Sequence, residues 1–161
     1  MRLLTMLLLL ALPFSAITAE KTVIYDGCEL VGHLPDADRT SFTIKVQDAL
    51  YSVALSDVVK TWLGTAPDTT PARATTQVIL RIGGVPVFFP YKAYADLGNP
   101  ALLNGITLAR TPEGINLYIR GGENGAAYTA KFVVLNGKLA RREVVLANFP
   151  DSPPQIATFD K

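Results

Sequence analysis

His33 is the only histidine and Cys28 the only cysteine among 161 residues. Any Ser-His-Asp, Cys-His or histidine-metal mechanism must therefore run through His33. Cys28 lies five residues before it, with Asp26, Glu29, Asp36 and Asp38 close by in sequence. A thiol–imidazole pair needs both groups within hydrogen-bond reach, which loop spacing alone does not supply. A zinc ion would need further ligands, and only carboxylates are at hand. The competing reading makes Cys28 a small buried apolar residue and His33 a solvated loop residue. A lone thiol also rules out an intramolecular disulfide, which leans towards a bacterial periplasm rather than a bridge-rich secreted domain.

Other chemistry is thinner. Asp36-Ala37-Asp38 opens like a calcium loop, but the sixth position is Ser41 and the twelfth is Gln47. An EF-hand needs Gly and Glu there. Gly121-Gly122-Glu123-Asn124-Gly125 offers backbone N–H groups to an anion. It lacks the Lys-Ser/Thr of a P-loop, and a strand pattern follows it. No Gly-x-Ser-x-Gly elbow and no His-Glu-x-x-His motif occurs. No spacing singles out a carboxylate pair for glycoside chemistry. No cofactor and no metal is implied.

The most suggestive patch is Val87-Phe88-Phe89-Pro90-Tyr91-Lys92-Ala93-Tyr94. On a strand, Phe88 and Phe89 face opposite sides. Tyr91 and Tyr94 share a face if their segment is helical. Aromatics beside an edge strand are residue types that interfaces use, although they equally pack the ends of cores. Phe88, Phe89, Tyr91 and Tyr94 are the candidate partner-binding residues. A basic group, Lys131, Lys138, Arg141 and Arg142, suits an acidic partner or a solvated sheet face.

The elements that position these residues read as short antiparallel strands. Tyr128 to Leu146 carries two β-prone runs around Asn136-Gly137, a type I′ hairpin signal. A two-residue turn sets Val134 opposite Leu139, Tyr128 opposite Val145, and Lys131 opposite Arg142. The last pair is unfavourable; a bulged three-residue turn shifts the pairing by one. Further hairpins are expected at Ser41–Val46 with Leu50–Leu55, at Val78–Ile82 with Val85–Phe89, and at Ile106–Ala109 with Ile115–Arg120. Pro86 places its strand at an edge. Thr22 to Tyr25 is β-prone, and Gly32 to Arg39 reads as a loop. Ser56 to Leu63 reads as a two-turn helix ended by Gly64. Pro90 to Leu97 reads as a helical turn opened by Pro, and Gln155 to Phe159 as a last strand. Thr65 to Gln77, rich in Pro and Thr, reads as a long surface loop. The fold class is mainly β: an antiparallel sandwich or barrel of roughly nine to eleven short strands with one or two short helices.

Residues 1–19 have the three-part order of a secretory signal peptide: Met1-Arg2, the apolar Leu3 to Pro13, then Phe14 to Ala19. The apolar run is too short to span a bilayer, and no later stretch is long enough. Residues 20–161 are long enough for one domain with a real core. Without Arg2, 14 basic residues balance 14 acidic ones. That balance argues against a nucleic-acid partner. These features favour a periplasmic or secreted binding domain, inhibitor- or immunity-like, with a protein or envelope component as partner. One alternative is a carrier of small apolar ligands, with a cavity lined by residues such as Trp62 and Phe132. Another is a hydrolase using Cys28 or His33.

Overall fold

Alternation of apolar and polar residues at period two builds most of this molecule. The computed structural model describes residues 19–24, 26–52, 59 and 61–159. Residues 1–18 of the leader region and half of the segment expected to be helical, Ser56 to Leu63, lie outside the described residues. So do half of the return strand expected at Leu50–Leu55 and the turn residue Tyr25. Among the described residues, ten strands form two antiparallel sheets of five. The first holds β1 (Ala19–Ile24), β2 (Gly27–His33), β3 (Ser41–Leu50), β4 (Arg73–Ile82) and β5 (Val85–Val87), in chain order. The second holds β6 (Ile106–Thr111), β7 (Gly114–Gly121), β8 (Tyr128–Leu135), β9 (Lys138–Leu146) and β10 (Gln155–Thr158), also in chain order. The fold is a mainly β sandwich and not a closed barrel. Among the described residues, the helical pieces are three-residue 3-10 turns at Tyr91–Ala93 and Asn124–Ala126.

One apolar core joins the sheets. Phe42, Ile44, Val46 and Leu80 from the first meet Leu117, Ile119, Phe132 and Val134 from the second. Residues 97–100 stitch one corner. Leu97 accepts from the Thr75 amide at 2.9 Å, Asn99 donates to Arg73 at 2.8 Å, and Gly122 donates to Asn99 at 3.0 Å.

Several local expectations are corrected. β3 does not turn at Gln47-Asp48-Ala49 but runs on to Leu50. Asp48 can stay on the core face because Arg73 neutralises it, with Nε–Oδ2 at 2.7 Å and Nη2–Oδ1 at 2.9 Å. The Pro/Thr-rich loop ends at Ala72, because Arg73 to Gln77 belong to β4. Threonine favours strands, and Ala74 and Thr75 are buried. The strand β2 extends through Gly32 to His33, where a loop was expected. Thr61 to Gly64 are not helical; Leu63 forms a parallel bridge with Leu97.

The hairpin of β8 and β9 decides the register. Asn136 (φ 50°) and Gly137 (φ 75°) both take the left-handed conformation, as a type I′ turn requires. Val134 therefore pairs with Leu139. The register then shifts, leaving Ala140 without a direct partner, so that Val133 faces Arg141 and Phe132 faces Arg142. This bulge sets Tyr128 opposite Leu146 rather than Val145. It also replaces the unfavourable Lys131–Arg142 pairing by Lys131 with Glu143.

Candidate functional site

The short edge strand β5 and the segment after it hold the aromatic patch. Val87, Phe88 and Phe89 alternate inward, outward, inward: Val87 and Phe89 are buried, whereas Phe88 is 79% exposed. Phe89 stands edge-on to Phe132 with ring centroids 5.4 Å apart. Pro90 ends the strand pattern, and the 3-10 turn follows. Within it Tyr91 is 37% exposed and meets the buried Tyr94 edge-on at 5.6 Å. Burial pushes the Tyr94 phenol above its ordinary value, and neighbouring Tyr91 adds to the shift. The four candidates thus divide evenly. Phe88 and Tyr91 face outward, and Phe89 and Tyr94 anchor them from within.

The segment rests on a firm base. Arg142 projects from the core face of β9 and binds Asp96 with both prongs of its guanidinium. The same Nη1 donates to the Ala93 carbonyl at 2.9 Å. The 3-10 turn is therefore bolted to the second sheet.

A groove of about 710 Å³ opens beside Phe88. Pro86, Phe88 and Pro90 line one side, and Lys138, Leu139 and Phe159 the other. The Lys92 ammonium lies 5.9 Å above the Phe159 ring, a cation–π arrangement. Sequence reasoning placed Lys92 in the patch without a role and missed Phe159. Phe159 follows the last strand, far from β5 in sequence, so no local pattern links them.

The chain matches no protein family model, no curated protein and no solved structure.

The other candidates do not assemble. Cys28 is fully buried on the core face of β2, and His33 is exposed on the opposite face. Five residues of strand separate them by roughly 17 Å. Asp36 is used locally: its carboxylate accepts the Thr40 amide at 2.8 Å and meets Arg110 at 3.2 Å. The Thr40 amide, aided by Arg110, holds the Asp36 carboxyl below its ordinary value. Among the described residues, no three His, Cys, Asp or Glu side chains cluster as metal ligands would.

The basic group is also dispersed. Lys131 and Arg141 both bind Glu143, and Arg141 reaches Glu113 as well. Arg142 points inward. Lys138 alone of the four lines the groove. The glycine-rich loop borders a second groove, of about 580 Å³, with the Pro/Thr loop. Its polar groups are largely committed: Thr65 and Thr69 bond backbone carbonyls, and Asn148 donates to Gly125. Trp62 stands edge-on to Tyr51, while Phe132 is fully buried against Phe89. The two residues expected to line a ligand cavity thus pack against different partners.

Proposed function

We propose that this chain is an exported binding protein of the inhibitor or immunity type. It engages a protein of the cell envelope through Phe88 and Tyr91. Export follows from the basic, apolar and small-residue order of residues 1–19. One observation carries the surface: a phenylalanine 79% exposed on a segment that Arg142 and Phe132 hold rigid from below. Exposed aromatics on a preorganised base lose little entropy on binding and dominate interface energies. Phe88 and Tyr91 are the contacts, and the buried Phe89 and Tyr94 are their supports.

The test is photocrosslinking in an envelope extract of the source cells. A photoreactive phenylalanine at position 88 should give a discrete protein adduct, which Tyr91→Ala weakens. The same probe at Val31, an exposed apolar position on β2, should give none. Identical adducts from both positions, or none from position 88, would remove this reading.

A further inference from the structure

We propose that the groove beside β5 receives an extended, acidic and apolar peptide segment of the partner. A bulky apolar side chain sits against Phe88, Leu139 and Phe159, and carboxylates face Lys92 and Lys138. The inference rests on the reading of the patch as a partner surface and adds the partner's chemistry.

Shape comes first. The groove has two walls, one from the segment around Phe88 and one from β9 and Phe159. A cleft of this kind seats a side chain, whereas a flat aromatic patch does not. Backbone chemistry narrows the choice. Pro86 and Pro90 lack N–H groups, and β5 has only three residues. A partner strand would find little ladder to extend, so recognition falls to side chains.

Charge decides the rest. The groove is lined by Lys92 and Lys138 and, among the described residues, by no acid. Neither lysine forms an ion pair among the described residues. The neighbouring groove near the β6–β7 turn differs. There Arg110 already meets Asp36, and Glu113 already meets Arg141. Of these two grooves, the one beside Phe88 offers, among the described residues, positive charge that is not held in an ion pair, next to an apolar floor. Such a surface selects carboxylates flanking an apolar anchor and rejects lysine-rich sequences.

The experiment titrates the isotope-labelled chain, as purified from cells, with a short synthetic peptide. Its centre is Leu-Phe-Leu, flanked on both sides by Asp and Glu. A control peptide carries Lys at every acidic position. The acidic peptide should shift the amides of Phe88, Lys92, Lys138 and Phe159. It should bind about tenfold more tightly than the control, as two exposed ion pairs allow. The double variant Lys92→Glu with Lys138→Glu should reverse that preference; both side chains are exposed, so the fold is kept. Equal affinity of the two peptides in this groove overturns the acidic assignment while leaving the patch a partner surface. Absence of any shift there overturns it too. If position 88 also yields no crosslink, the partner-surface reading falls with it. Binding of phosphatidylglycerol vesicles in place of either peptide would assign the groove to lipid and end the proposal.

Discussion

Arg142 and Asp96 form a two-pronged ion pair between the second sheet and the loop that carries the aromatic patch, with Nη2–Oδ2 at 2.9 Å. The arginine reaches inward only because the bulge at Ala140 turns residue 142 onto the core face opposite Phe132. A regular ladder from the same turn would have pointed it to solvent. One extra residue in β9 thus sets both the strand register and the footing of the binding surface.

Removing both partners of this pair should cost less than the two single losses added together. Arg142→Met leaves Asp96 and the Ala93 carbonyl short of a donor in a half-buried site. It should lower stability by about 2–3 kcal/mol. Asp96→Asn should cost about 1–2 kcal/mol, since one oxygen still accepts. The double variant should cost less than the sum. Urea unfolding of all four proteins checks this, and strict additivity would mean that the pair is not coupled.

The register itself can be read from the sign of one substitution. Lys131 faces Glu143, with Nζ–Oε2 at 3.1 Å. Lys131→Met should therefore destabilise by about 0.5–1 kcal/mol. Without the bulge Lys131 would face Arg142, and the same change would stabilise by relieving repulsion. A shift of the urea midpoint to higher concentration would contradict the bulged pairing.

Acid should loosen the outer face of the second sheet. Burial raises the Glu143 carboxyl, but Arg141 and Lys131 outweigh it and hold it below its ordinary 4.5. The folded carboxyl therefore binds its proton less tightly than the unfolded one. Its stabilisation is complete above the unfolded value and is lost as pH falls through the lower folded value. Asp36, held down by the Thr40 amide, adds a loss of the same sign. Unfolding midpoints across the acid range should fall less steeply for Glu143→Gln than for the parent chain. Parallel curves would show that these ion pairs are absent in solution.

The two adjacent phenylalanines should behave oppositely. Phe89 is 7% exposed and packs on Phe132, so Phe89→Ala should cost about 3–5 kcal/mol. Phe88→Ala should change stability by no more than about 0.5 kcal/mol. Thermal unfolding of the two variants separates them. A large loss for Phe88→Ala would make it a structural residue and weaken its claim as a contact.

What the sequence made legible is mostly local. Asn136-Gly137 and Gly83-Gly84 announce their turns because both residues of each pair take positive φ. The alternation of Phe88 and Phe89 follows from strand geometry. The continuation of β3 past Asp48 was hidden, because its stabilising partner, Arg73, lies 25 residues away. The bulge at Ala140 was hidden for a similar reason: its benefits, the Glu143 and Asp96 pairings, are cross-strand or long-range. The groove draws Pro86 and Phe159 from opposite ends of the second half of the chain. Neither residue carries a signal that names the other.

Tyr128 offers a substitution that should do no harm. Its ring is buried where a Cβ on Gly121 would come within 2.5 Å of the phenol oxygen, so only glycine fits at position 121. The phenol oxygen has no hydrogen-bond partner among the described residues, and burial pushes its ionisation well above the ordinary value of 10. A buried hydroxyl without a partner costs about 1–3 kcal/mol of desolvation. Tyr128→Phe removes that cost and keeps the packing, so it should leave stability unchanged or raise it by about 1 kcal/mol. Gly121→Ala should destabilise by about 1–3 kcal/mol through overpacking. Part of that loss should return in the double variant, because the phenol oxygen is the nearest atom to the added methyl. Calorimetric melting of the three variants decides it. A marked loss for Tyr128→Phe would show that the hydroxyl makes a bond in solution, and would turn the corner between Gly121 and Asp96 into a polar site.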